Sequence, residues 1–516
     1  MHPAIATPNQ QSARSRWQPF WLSFGLLALL SILWALASPL MSVPDESAHA
    51  VRAAAVARGD YVGTRSAEFP SQIEVSVPRY VEHTHALACF AFDPRISAAC
   101  QEDVTGDPDA LVATATSAGV NSPLFYTLVG LPTLLWSGDA ALYGMRIVNA
   151  VLCSALLGLM VMSLRQLGSS RWTMLAVAVA VTPMVLFLMG SINPNSMEMA
   201  AAGALFAALV LMLSRPSPGR LLWERALIVS VGALFLSNTR SISLLWVILA
   251  VGGAFLLARA DIVRNLLRRP ATWAAVAASG AAALFALWWY LRPQFTSPPE
   301  ALPGGGISAR LGFEIMIDKT FDNLQGIIGI FGWIDRPAPT IAYQIWTVAL
   351  GILVVAALAL ARPRDRWPVI LFSSAMVFVP AIAQALIVTD LGIIWQGRYM
   401  LAMFVCLVIA SGMALDQRFP ESLPVAVSRL FSVALGALAF GHLTTFVWVL
   451  RRYVIGAGSW VNMVRDATWQ PPLTWIGLTI LFGSTLGAGA WLLWRDNERQ
   501  NRAAESRPTP QLDLTR

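Results

Sequence analysis

The chain has 516 residues and a net charge of +7, yet only 13% of its residues are charged while 56% are hydrophobic, and its mean hydropathy is +0.60. A soluble domain carries about 25% charged residues, so this composition excludes a soluble globular enzyme and points to an integral membrane protein with many spans. The positive charge is almost all arginine and falls in short clusters between apolar runs, as in loops that hold a polytopic protein in place, and not as a nucleic-acid-binding face.

Residues 1–19 form an N-terminal tail in which Arg14 and Arg16 precede the apolar run 20–40. Ala35-Leu36-Ala37 resembles a cleavage site, but the run is long enough to span and more spans follow, so it reads as a retained first helix. A long polar segment comes next, 41–139, expected outside the cytoplasm and carrying juxtamembrane helices. It opens with Val43 to Arg52, reading VPDESAHAVR. As a helix, this stretch puts Asp45, His49 and Arg52 on one face, with Glu46 about a quarter-turn away. Pro44 suits its first turn, and Asp45 and Glu46 suit its positive end. The same pattern also fits a solvated cap on an ordinary amphipathic helix.

Cys89 and Cys100 both lie in this polar segment and are expected to close a small disulfide loop, whereas Cys153 and Cys406 fall inside apolar runs and read as buried hydrophobes. Asn121-Ser122-Pro123-Leu124-Phe125-Tyr126 leads into the apolar stretch 127–136, which is too short for a full span and reads as a membrane-surface or re-entrant helix. Spans follow over 141–164, 172–190, 197–213, 222–237, 241–258, 271–291, 341–361, 367–388, 397–415, 428–450 and 472–494. With the first helix, the expectation is an all-α polytopic protein of about twelve transmembrane helices, between roughly eleven and thirteen, in one membrane domain over 20–494. A second long outer loop covers 292–340, where Gly304-Gly305-Gly306 reads as a hinge, and 495–516 reads as a disordered cytoplasmic tail. Both termini come out cytoplasmic, and most arginine clusters fall inside; Arg451, Arg452 and Arg465 fall outside against the rule.

With this register the unusual polar residues gather on the outer face: Asp45, Glu46, His49 and Arg52; Asn193 and Asn195 around Pro194; Arg240; and Gln396, Arg398 and Tyr399 of the stretch WQGRY. Ionisable groups near membrane depth are costly and tend to mark sites. Asn193 and Asn195 also fit a plain turn, and Arg240 and Arg398 also fit interfacial anchors. Together these residues suit group transfer from a phosphate-linked lipid. Arginine forks match a phosphate, and a carboxylate can take the proton of an acceptor hydroxyl.

The order PDESAH, NSPLFY, INPNS, FGWIDRP and QGRY resembles the bacterial membrane proteins of domain-of-unknown-function family 2142, over positions 20 to 450. That family is similar in layout to the class C glycosyltransferase fold, whose members take sugars from polyprenyl-phosphate carriers at the outer face of the membrane. The resemblance implies that Asp45, paired with Glu46, is the base and that Arg398 is a phosphate ligand. His49, Arg52, Asn193, Asn195, Arg240, Gln396 and Tyr399 complete the expected substrate-binding set. Asn121-Ser122-Pro123 lacks the His or Lys and one proline of the class C element. A metal is left open, since some class C enzymes need a divalent ion such as Mg or Mn and others do not. The expected partners are a polyprenyl-phosphate-sugar donor, a glycan or lipid acceptor and the bilayer, with no nucleic acid. The expected location is the bacterial plasma membrane with an extracytoplasmic active face. A transporter or flippase of lipid-linked sugars and a non-catalytic envelope-assembly protein are the competing readings.

Overall fold

Backbone amides find no water inside a bilayer, so apolar runs of this length must close their hydrogen bonds internally as helices. The computed structural model describes residues 13–69, 71–168, 170–292, 306–419 and 425–505. Nine helices among them are long and apolar enough to span: Arg16–Ala37, Gly138–Gln166, Pro194–Ser214, Pro270–Tyr290, Thr340–Leu360, Pro363–Leu391, Gly397–Arg418, Arg429–Ile455 and Thr474–Gln500. Two bent pairs raise the count to eleven: Arg171–Ala180 with Pro183–Met189 at 61°, and Ser243–Leu256 with Ala260–Leu266 at 120°. The first bend sits where Pro183 opens a new helix and the Thr182 side chain accepts from the Val185 amide at 3.2 Å.

The chain is thus a multi-pass α-helical membrane protein, with nine to eleven candidate spans among the described residues where the sequence suggests twelve. The remaining helix of that register, Arg220–Ser237, opens on Arg220, Glu224 and Arg225, which makes its 18 residues too charged to count. The stretch 127–136 holds no span. Pro123–Val129 and a short turn over Leu131–Leu134 take its place. The tail expectation needs correcting, because the last helix runs on from Thr474 to Glu505. Residues 506–516, the first twelve residues and the glycines at 304 and 305 lie outside the described residues.

The polar segment 41–139, expected to carry juxtamembrane helices, holds strands as well. It holds a three-stranded antiparallel sheet of Thr64–Arg65, Ile73–Pro78 and Leu111–Thr116, with Ile73–Pro78 in the middle and Val75 opposite Thr114. Ile73, Val75 and Val77 alternate with polar neighbours and turn inward, the period-two signature of a half-buried strand. The sheet is fastened to the helix Glu46–Ala57 where the Thr116 hydroxyl donates to the Ala48 carbonyl at 2.7 Å. Cys89 and Cys100 are joined in a disulfide with a Cα–Cα distance of 6.1 Å. Arg452 binds this loop to the bundle, donating to the carbonyls of Phe90, Asp93 and Ile96 and to Asp335 Oδ2 at 2.6 Å. The described part of the second long loop folds as Ala309–Asp318, Thr320–Gly329 and a hairpin of Ile330–Phe331 with Arg336–Pro337.

Two helices are more enclosed than the rest: Pro194–Ser214 and Gly397–Arg418 are each 94% buried, against 67% or less for the other seven. They form the axis of the bundle. Each begins at one of the polar motifs, INPNS or QGRY, so two positive helix ends meet at the same side of the membrane domain.

Candidate active site

The site is built around a knot that fixes the start of the Glu46–Ala57 helix. Arg146 donates to Glu46 from Nε and Nη2, both at 2.7 Å, and neither side chain is exposed. The same carboxylate accepts from the Ile192 amide at 3.0 Å and the Val43 amide at 3.4 Å. The other Arg146 donors reach the carbonyls of Ala35, Ser38 and Pro39 at 3.0, 2.7 and 2.8 Å, the frayed end of the first helix. One buried ion pair therefore ties together the first span, the second span, the INPNS motif and the PDESAH helix. Glu46, expected beside Asp45 as a second acid of the site, is corrected by this geometry: its oxygens are occupied by structural donors and shut off from solvent.

Drawing Glu46 inward turns Asp45 outward. Asp45 caps the helix in a left-handed conformation, φ 67° and ψ 2°, with no hydrogen bond from its side chain to the helix end. Pro44 therefore precedes the cap and does not occupy the first turn. Asp tolerates this region better than most residues, but it remains a strained one, of the kind that clusters at functional sites. The Asp45 side chain is 53% exposed, and Oδ2 lies 3.2 Å from Nη2 of Arg398. Residues 353 positions apart are thus in contact beside the start of the Gly397–Arg418 helix.

Arg398 is itself buried, and its Nε has no partner among the described residues. Tyr399 lies between two cations, its ring centre 5.4 Å from the Arg398 guanidinium and 4.3 Å from that of Arg240. Arg240 donates to the Asn195 side chain and stands 3.9 Å from the buried Glu198, which also accepts from Ser243. Asn193 caps the Pro194–Ser214 helix, accepting from the Asn195 amide at 3.0 Å, while its Nδ2 is buried without a partner. Gln396 caps the turn Gly397–Met400 and is half-buried.

Gly397 is required by close approach, since a Cβ there would meet the Asn323 carbonyl oxygen at 2.1 Å. Gly397→Ala is therefore expected to push Arg398 off Asp45 and to cost about 1–3 kcal/mol, visible as a lower unfolding temperature of the purified protein.

His49 and Arg52 occupy the second layer. His49 Nδ1 is 2.9 Å from the Tyr126 hydroxyl, which in turn accepts from Asn121 Nδ2 at 2.9 Å. The Tyr126 hydroxyl thus bridges Asn121 and the His49 ring. Burial lowers the His49 pKa from 6.5 to about 4, with Asp45 opposing and Arg240 and Arg398 adding to the drop. The unfolded chain takes up a proton here as pH falls below 6.5, and the folded chain does so only near pH 4. Native stability is therefore expected to fall across that window by up to about 3 kcal/mol, and His49→Gln to flatten the fall. Equal slopes of unfolding temperature against pH for the two proteins would contradict this.

Arg52 shares the helix face of Asp45 and His49 but reaches away from the pair. Its Nη2 donates to the carbonyls of Tyr61 at 2.7 Å and Asn121 at 3.4 Å, and its guanidinium stands 5.9 Å from both the Tyr126 and Trp289 rings. Burial lowers its pKa from 12.5 to about 10. It holds the Asn121 segment through Nη2, away from the Asp45–Arg398 pair, while its Nε and Nη1 are buried with no partner among the described residues. The structure gathers Asp45, Arg398, Tyr399, Arg240 and Asn195, backs them with His49, Asn193 and Gln396, and leaves Glu46 and Arg52 outside the cluster.

Tyr126 and Glu198 join the site without having been assigned a role from sequence. An acid at position 198, inside an apolar run, was the available signal. No group of three or more His, Cys, Asp or Glu suited to a metal occurs among the described residues. Asp45 would be the exposed carboxylate for a divalent ion here, with waters and a donor phosphate needed to complete its shell.

The family model described as Predicted membrane protein (DUF2142) matches residues 27–407, a stretch that includes every residue of this cluster. The chain belongs to that family. Among solved structures it is similar to ArnT from Cupriavidus metallidurans. The apo form has a TM-score of 0.49 and the form bound to undecaprenyl phosphate 0.45. Each is 14% identical and covers 93% of this chain and 77% of that one. Both scores fall below one half, where a likeness is too loose to carry function. No curated protein matches the chain.

Proposed function

We propose that this member of the family is a membrane glycosyltransferase that moves a sugar from a polyprenyl-phosphate-linked donor to a glycan or lipid acceptor of the bacterial cell envelope, on the extracytoplasmic side. The observation that carries the proposal is the half-exposed Asp45 held 3.2 Å from the buried Arg398, where the two most enclosed helices begin. A carboxylate, two guanidiniums and two positive helix ends at one place have the polarity that phosphate departure needs.

The donor phosphate takes the Nη2 edge of Arg398, with Arg240 across the Tyr399 ring as the second cation. Both replace water around the oxygen that gains charge as the sugar leaves. The same exchange releases Asp45 from its ion pair and makes it available as a base. Asp45 then takes the acceptor hydroxyl proton while that oxygen attacks the anomeric carbon from the face opposite the departing phosphate, and the product linkage is inverted. His49, neutral and fixed by Tyr126, shapes the wall behind Asp45 without adding charge.

Arg398→Gln tests the phosphate role. It is expected to weaken donor binding roughly 10–100-fold, in line with the loss of one buried charged contact, and to leave acceptor affinity unchanged. Donor titration of the purified, reconstituted protein reads both. Unchanged donor affinity in the variant would remove Arg398 from the mechanism.

A further inference from the structure

A polar cavity lies at the other end of the same two central helices. It has a volume of about 460 Å³ and is lined by Arg215, Arg259, Arg362, Arg364, Asp365 and Asp416, over a floor that includes Val210 and Ala414. Val210 belongs to the helix that begins at Asn193 and Asp416 to the helix that begins at Arg398, so the cavity stands roughly 30 Å from Asp45, the length of a 21-residue helix. It lies on the side that the arginine clusters assign to the cytoplasm.

The charge does not balance inside it. Four guanidiniums face two carboxylates, and Asp416 is already engaged by the amides of Ser170, Trp172 and Thr173 and by the hydroxyls of Ser170 and Thr173. Arg259 pairs with Asp261 at 3.0 Å, outside the lining. Arg215 donates to the Leu167 carbonyl at 2.7 Å, and Arg364 donates to the carbonyls of Leu256 and Ala258. These bonds hold the two groups in place and leave each with further N–H donors. Arginines converging from three separate stretches of chain on a cavity of ligand size, half polar and half apolar, suit an anion with an apolar body.

We propose that this cavity binds a phosphate-bearing anion, the headgroup of an anionic phospholipid of the inner leaflet, with its phosphate among the arginines and the first carbons of its acyl chains against the apolar floor. Inorganic phosphate shares the recognising chemistry and differs in lacking that apolar body.

The test titrates the full-length protein, purified in neutral detergent, with short-chain phosphatidylglycerol, with phosphatidylcholine of the same chain length, and with inorganic phosphate. Unfolding temperature and native mass spectrometry read binding. Phosphatidylglycerol is expected to bind and to raise the unfolding temperature, and Arg259→Gln with Arg362→Gln to weaken it by roughly tenfold. Both arginines are exposed, so the double variant is expected to fold as the native chain does. Arg362→Lys keeps the charge and is expected to retain most of the affinity, and Asp45→Asn is expected to leave it unchanged. Inorganic phosphate binding as tightly, with the same sensitivity to the double variant, would assign the site to a free phosphate. Phosphatidylcholine binding as tightly as phosphatidylglycerol, or a double variant that binds phosphatidylglycerol like the native chain, would overturn the proposal.

Discussion

Asp45→Asn is expected to abolish sugar transfer while the protein folds and binds its donor at least as tightly as the native chain. The asparagine is isosteric and the position is half-exposed, so nothing in the core is disturbed. The left-handed cap conformation is one that asparagine accepts as readily as aspartate. Two consequences separate. Loss of a general base lowers turnover by about 10²–10⁴. Loss of the negative charge beside Arg398 removes the competitor for that guanidinium, so donor affinity is held or raised. A variant impaired in binding and turnover alike would place Asp45 in substrate contact and not in proton transfer.

The largest structural effect is expected at the neighbouring residue. Glu46→Gln leaves Arg146 charged, wholly buried and without its counter-ion, in a place where the carbonyls of Ala35, Ser38 and Pro39 supply only part of what it needs. Breaking a buried pair from one side costs about 3–5 kcal/mol, more than a single surface change on a marginally stable protein. The expected result is poor accumulation in the membrane and a sharp drop in unfolding temperature. Replacing both partners, Glu46→Leu with Arg146→Met, is expected to recover much of that loss, since no charge is then stranded. If Glu46→Gln is as stable as the native chain and loses only transfer, Glu46 belongs to the chemistry after all and the division between the two acids is wrong.

That division shows where sequence reading stops. Asp45 and Glu46 are adjacent acids at a helix start, and either could face the membrane surface. Only the position of Arg146, a hundred residues on, decides which one is drawn inside. The apolar runs were legible because lipid leaves a backbone no alternative to the helix, and the motifs were legible as polar interruptions of those runs. The resemblance implied roles for Asp45 and Arg398, but nothing in the spacing of the sequence brings the two together. The sheet in 41–139 escaped because its strands are short and Leu111–Thr116, the edge strand that pairs with the central one, lies far along the chain, although Ile73 to Pro78 alternates as a strand should. The helix over 495–505 escaped because its polar composition reads as tail. Asp496 there joins Arg165 and accepts from Gln500 at 3.0 Å, contacts that depend on the fold. The partners of Arg52 were hidden for a related reason: sharing a helix face with Asp45 fixes its direction from the axis, not the neighbours that its long side chain meets.

The central claim, that this site transfers sugar, is tested most directly with the native protein reconstituted in vesicles, given a labelled polyprenyl-phosphate sugar and an envelope glycan acceptor. Label is expected to appear in the acceptor with the anomeric configuration inverted, and to be absent when Asp45→Asn replaces the native chain. Label that stays on the carrier in both proteins, or that crosses the bilayer still attached to it, would contradict the transferase and identify a carrier-handling protein.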